Sequence, residues 1–266
     1  MPINNGGSGL TIKGIGMITG QRTTQGFAAS DRRDRNVFLA YLLLIWTVTI
    51  AGFGFEMVGK FADGTLHYPL IVHAHALAFV SWLVLLTTQV ALIRRGDQAL
   101  HRRLGIIAVA MIPLMAILAI ATVVVTKTQK YGNPDTSFPF MSIQFTNVLA
   151  STVLFVAGLW LRRSSTKHKR LMLMGTLVLT EPGIRRVVSY LLNGNFHDGF
   201  GPFMVETYAG TIVLMLGLGA YDWLTRHRLH PTYVFAFSWC LANQLVATWL
   251  FYQPWWSGYT THLVGH

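Results

Sequence analysis

Stretches of about twenty apolar residues recur along this chain, and a helix of that length is what crosses a hydrocarbon core of about 30 Å. Seven stretches qualify: 37–58, 70–93, 105–126, 139–161, 171–192, 204–223 and 232–252. Inside hydrocarbon each backbone N–H and C=O must find a partner within the protein, and a helix satisfies them all within its own segment. The expected fold is therefore all-α, a polytopic membrane helix bundle of seven transmembrane helices. Of the 266 residues only 12% are charged, about half the share of a soluble domain, which excludes a water-soluble enzyme. The length leaves room for one seven-helix domain, 31–266. Residues 1–30 are rich in Gly, Ser and Thr without the apolar core of a signal peptide, and read as a mobile cytoplasmic tail. A lone cysteine, Cys240, lies in an apolar run; it excludes a disulfide scaffold or a thiolate zinc site and reads as packing.

The formal charge of +11 sorts by position. Lys13, Arg22, Arg32, Arg33 and Arg35 precede segment one. Four basic residues follow segment two, five follow segment four and two follow segment six, so 16 of the 21 fall on one side. By the positive-inside rule this puts the N-terminus in and the C-terminus out. Lys60, Lys127 and Lys130 fall on the other side, and Arg185 and Arg186 lie within segment five. The basic residues anchor topology on anionic lipid; no nucleic-acid partner is implied. On the outer side Tyr68-Pro69 and Gln253-Pro254-Trp255-Trp256 suit an aromatic belt.

The inner turns repeat. Arg94-Arg95 leads to His101-Arg102-Arg103-Leu104, Arg162-Arg163 leads to His168-Lys169-Arg170-Leu171, and Arg226-His227-Arg228 leads to His230-Pro231. Segment one is thus followed by three parallel helical hairpins, each with a histidine near its inner turn, rather than by the inverted repeats of many transporters.

Ionisable groups at membrane depth cost at least about 2.5–3.5 kcal/mol each, so they need partners or a task. His75, Trp82 and Gln89 are spaced by seven and form a stripe expected to face the bundle. His73 and His75 diverge around a helix and share a metal only if the helix begins between them. With Glu56 they form a candidate metal set. Segment five carries Glu181, Pro182, Arg185 and Arg186. Glu181 and Arg185 are an i,i+4 pair in the favourable order, Pro182 is expected to kink the helix, and Glu206 is the expected partner of Arg186. With Asn243 and Gln244, and with Gln144 and Asn147 in segment four, these groups predict a polar pocket open to the outside. Walker loops, aspartate-rich diphosphate motifs, His-Glu-x-x-His and nucleophile elbows are missing from the sequence. No lysine lies within the seven segments, which excludes a retinal Schiff base.

Two resemblances follow from these motifs. His75-Ala-Leu-Ala-Phe-Val-Ser-Trp82, Gln89, Leu100-His101-Arg102-Arg103-Leu104-Gly105 and His168-Lys-Arg-Leu-Met-Leu-Met resemble an uncharacterised family of bacterial multipass inner-membrane proteins. That resemblance implies a bacterial inner (plasma) membrane location and no defined activity. The order His75, Trp82, Arg94, His101 is also similar to transmembrane di-haem cytochromes b, which pair histidines of alternate helices on each membrane side. By that resemblance His101 and His168 would ligate one haem b on the inner side, with His75 as an outer ligand. The chain departs from the family there, since segment four offers Met141 and Gln144 opposite His75 and no histidine.

Four functions compete on this sequence. One is a redox protein binding haem b or a metal ion. The second is an accessory subunit of a membrane complex, with other subunits or further copies of itself as partners. The third is a transporter of a small anionic or polar solute through the Glu181, Arg185, Arg186 pocket. The last is a lipid-acting enzyme using Glu56, His73, His75 and Glu181.

Overall fold

A computed structural model describes residues 1, 27, 32–64, 67–133, 136–192 and 198–265. The reading of residues 1–30 as a mobile tail falls outside them, save for Met1 and Phe27. All regular structure among the described residues is helical: α1 (Arg32–Ala62), α2 (Leu70–Arg95), α3 (Gln98–Gly105), α4 (Ile107–Gln129), α5 (Met141–Trp160), α6 (Ser165–Leu191), α7 (Phe200–Arg226), α8 (Pro231–Phe251) and α9 (Pro254–Gly265).

Six of the described helices, with α3 and α4 run together as one, are long and apolar enough to cross a membrane, so the chain is a multi-pass membrane protein in composition and architecture. Segment five is the exception. Its helix, α6, has 27 residues, about 40 Å of length, but too many polar groups to qualify on apolarity. The packing explains how it is tolerated. α6 lies against α1, α5, α7 and α8, and an almost unbroken run from Arg170 to Ile184 is buried. A helix ringed by other helices presents its polar side chains to protein rather than to lipid. The backbone stays helical through Pro182.

Small residues set the closeness of these contacts. A Cβ placed on Gly52 of α1 would stand 2.1 Å from the Gly183 carbonyl oxygen of α6, so the two backbones touch as in glycine-mediated membrane helix pairs. At the turn after α2, Gly96 adopts φ 85°, and the Asp97 side chain caps α3 by accepting from the Leu100 N–H at 2.9 Å. This local chemistry makes the Leu-His-Arg-Arg-Leu-Gly stretch a short helix in its own right, where the sequence suggested only a turn. α9 is likewise additional. Trp256, expected in the aromatic belt, is buried on Val123, Met141 and Val264 and donates to the Pro139 carbonyl at 3.0 Å, while its neighbour Trp255 remains exposed.

Candidate functional site

The end of the bundle that carries the α5–α6 and α7–α8 turns holds a buried ion network built on residues that the sequence presented as topology anchors. Arg170 and Asp222 are both fully buried, joined by two guanidinium N–H donors to the two carboxylate oxygens. Arg226, one turn beyond Asp222, donates to Asp222 at 3.4 Å and to Asp34 at 2.6 Å. Asp34 also accepts from Tyr221 at 2.7 Å and from Lys169. The Phe27 ring lies about 5 Å from the guanidinium carbons of Arg170, Arg226 and Arg228 and meets the His230 ring edge-on. Lys169, Arg170 and Arg226 of the second and third turns are therefore structural ties between α1, α6 and α7. Asp222 and Arg226 are i,i+4, a spacing visible in the sequence; the role of Asp34 was not.

Beside this network, α3 and α6 bring His101 and His168 together. Their ring centroids are 6.4 Å apart with planes at 87°. His168 Nδ1 donates to the Gly158 carbonyl at 2.8 Å, which leaves Nε2 with its lone pair free of that bond, the arrangement that orients histidine ligands. His101 Nδ1 is buried without a hydrogen-bond partner, as is Gln89 Nε2 on α2. A Cβ on Gly105, one turn from His101, would meet only Gln89 Oε1 at 3.6 Å within 4 Å. The two imidazoles come from different helices, and His101 carries an unsatisfied buried nitrogen; in ligand type these are the residues that would hold a haem iron or a metal ion.

Glu56, His73 and His75, at the opposite end of the bundle, do not assemble in this way. Glu56 accepts from Arg186 and pairs with Lys60 at 2.7 Å. His73 is exposed and faces the Tyr68 ring, while His75 turns the other way into an apolar crevice with Phe79, Ile112, Met115 and Phe155. Among the described residues no group of three His, Cys, Asp or Glu converges on a metal position. The stripe spaced by seven does turn inward: Trp82 is buried and donates to Thr176 Oγ1 at 3.3 Å.

Glu181 is buried at the middle of the bundle and accepts from Asn147 Nδ2 at 2.7 Å, while its other oxygen has no hydrogen-bond partner. The bonds from Ser142 to the Ala247 carbonyl and from Trp239 to the Ala150 carbonyl fix α5 antiparallel to α8. That register sets Gln244 level with Thr146 and Asn147. Asn243 turns back onto its own helix, donating to the Trp239 carbonyl at 2.8 Å. Arg186 pairs with Glu56 of α1 rather than with Glu206, because the Gly52–Gly183 contact brings α1 to that face of α6. Arg185 interacts electrostatically with Glu181, Tyr208 and Glu206 and lies 4.6 Å from the Phe140 ring centre.

A polar cavity of about 250 Å³ opens beside Arg185, lined by Lys127, Lys130, Thr136, Ser137, Phe140 and Arg185. Of the residues expected to form a pocket, Arg185 alone is in this lining; Glu181, Arg186, Glu206, Asn243 and Gln244 lie outside it. Lys127 and Lys130 were read as loop charges, and their i,i+3 spacing on the last turn of α4 was the available signal. The chain matches no family model, no curated protein and no solved structure, so its chemistry rests on its own geometry.

Proposed function

We propose that this chain is a seven-crossing protein of a bacterial inner membrane, N-terminus inside and C-terminus outside, that holds haem b between His101 and His168 for electron transfer. The observation that carries the reading is the 6.4 Å separation of two imidazoles supplied by different helices. The seventh crossing is α6, long enough to span and sheltered by its neighbours. The asymmetry of basic residues supports the orientation, and the inner-turn motifs support the location.

The roles of the chain's own groups follow from their positions. His168, held by the Gly158 carbonyl, keeps one ring orientation and presents Nε2. His101 projects from the short α3, whose start is fixed by the Asp97 cap. The charges of Arg102 and Arg162 act on His101 and His168 respectively, so cationic side chains stand near both ligands and suit the carboxylates of a haem edge. Haem b bound here would supply one-electron exchange, its potential set by axial ligation and burial. Surrounding apolar helices keep water from the buried side.

Protein purified from haem-replete cells is expected to be red, with a Soret band. His101→Ala and His168→Ala should each abolish the low-spin spectrum, whereas His75→Ala should leave it unchanged. A colourless wild-type preparation from such cells overturns the proposal.

A further inference from the structure

Around Glu181, buried oxygen atoms on three helices lack the hydrogen bond that burial demands. Glu181 Oε1 on α6, Tyr208 Oη and Thr211 Oγ1 on α7, and Gln244 Oε1 on α8 are each without a partner. Tyr208 and Thr211 are fully buried, and Glu181 and Gln244 nearly so. A buried polar group left in this way costs about 1–3 kcal/mol, so such a cluster calls for a common explanation.

Helix register brings these residues to one depth. The bonds that fix α5 against α8 set Gln244 level with Asn147, and Asn147 donates to Glu181 Oε2 at 2.7 Å. A Cβ on Gly210 would stand 2.3 Å from Ile184 Cγ2, which places Thr211 within about one turn of Glu181. Tyr208, one turn before Thr211, packs with Ile143 of α5 and Ala247 of α8 and interacts electrostatically with Glu181. The Thr211 hydroxyl is also not engaged by its own helix. Thr146, Thr176, Thr180 and Thr248 on the surrounding helices each donate to the carbonyl four residues back.

The chemistry of the set points to a proton. An ionised carboxylate only accepts hydrogen bonds. Once protonated, Glu181 Oε1 gains a donor for a neighbouring oxygen while Oε2 keeps its bond from Asn147. The charged and titratable groups that face Glu181 are Arg185 and Arg186 of its own helix and Tyr208 of α7; Asn147 and Gln244, from α5 and α8, are uncharged. From α1, Glu56 engages both Arg186 and Lys60, and Glu206 of α7 acts on Arg185 together with Glu181. Neither guanidinium is therefore committed to Glu181 alone.

We propose that Glu181 is an exchangeable proton site in the middle of the bundle, with Tyr208, Thr211 and Gln244 as the oxygen partners of its acid form. The proton comes from hydronium in bulk water and adds to a lone pair of Oε1; no electron changes hands. Embedded carboxyls of this kind serve proton relays in membrane proteins. The site uses none of the groups assigned to haem, so the two readings stand or fall separately.

Infrared difference spectra of the protein in lipid bilayers read the acid directly. A carboxylic-acid carbonyl band, shifted in D2O, is expected to rise and fall reversibly as pH is stepped across the neutral range, and to be lost in Glu181→Gln. Asn147→Leu removes a donor to the ionised form and should strengthen proton binding about threefold to tenfold, read as a band midpoint at higher pH. Tyr208→Phe should keep the band and move its frequency, because the acid loses a hydrogen-bond partner. That variant assigns the band if Glu181→Gln does not fold. The proposal is overturned if no such band responds to pH or if the band persists in folded Glu181→Gln. It is equally overturned if Asn147→Leu leaves the midpoint, or Tyr208→Phe the frequency, unchanged.

Discussion

Arg170 and Asp222 show what a membrane bundle gains and risks by burying charge at one end. Each is fully buried and each satisfies the other, so removing one partner leaves the other charge without compensation. Asp222→Ala should lower unfolding stability by about 3–5 kcal/mol, measured by denaturant titration in mixed micelles, while the double change Arg170→Met with Asp222→Leu should recover most of the loss. An equally large loss in the double variant would contradict the pairing account. His230 borders the same network. Burial and then the nearby charge of Arg170 hold its pKa down to about 4, Lys167 and Lys169 adding to the effect and Asp222 opposing it. Its neutral Nδ1 accepts from the Thr232 N–H at 3.1 Å and caps α8. In the unfolded chain this histidine takes a proton near its ordinary value of about 6.5, so the unfolded state binds the proton first. Stability should be full above that value and fall as pH drops from about 6.5 towards about 4. Melting temperatures across this range should show the slope in the wild type and a reduced slope in His230→Gln.

Between elements, the tightest constraint is the meeting of α1 and α6. Gly52→Ala would push a methyl carbon into the Gly183 carbonyl, forcing the helices apart at a cost of about 1–3 kcal/mol or more. Gly54, two residues on, has nothing within 4 Å of its would-be Cβ, and Ala there should be neutral or gain from helix propensity. Thermal melts of the two variants should diverge in opposite directions; equal melts would show that the contact is not limiting. This one approach explains a misreading of the sequence. Arg186 was matched to Glu206, 20 residues away, but its partner Glu56 lies 130 residues away on the helix that the glycines admit. Long apolar runs announce helices plainly, because hydrocarbon admits little else. Which helix touches which is decided by small residues whose partners the chain order does not reveal. For the same reason α3 and α9 went unseen: eight and 12 residues make no spanning run, and their signals are a cap at Asp97 and a proline at position 254.

Taken whole, the molecule divides its described polar groups among three levels: an ion network at one end of the bundle, a mid-depth belt around Glu181 and a cationic cavity at the other end. The sequence drew attention to the deep polar groups, since carboxylates and amides in apolar runs stand out, and it paired His101 with His168 through the resemblance to di-haem cytochromes b. It did not separate the other two levels, because a basic residue at a helix end looks the same whether it meets water, lipid or a buried aspartate. Asp34 and Asp222 convert anchors into ties, and only the fold brings them to Arg226 and Arg170.

The polarity of α6 bears on how the chain reaches the bilayer. Glu181, Arg185 and Arg186 together would cost roughly 8–10 kcal/mol at the centre of a membrane, taking about 2.5–3.5 for each. A segment so burdened partitions into lipid only where companions already wait. Its deep-end companions are synthesised first: Glu56 on α1 receives Arg186, and Asn147 on α5 donates to Glu181. The partner of its inner end, Asp222 on α7, emerges from the ribosome only afterwards. Chain order thus allows α6 to lodge against α1 and α5 during translation and to be locked at its base once α7 arrives.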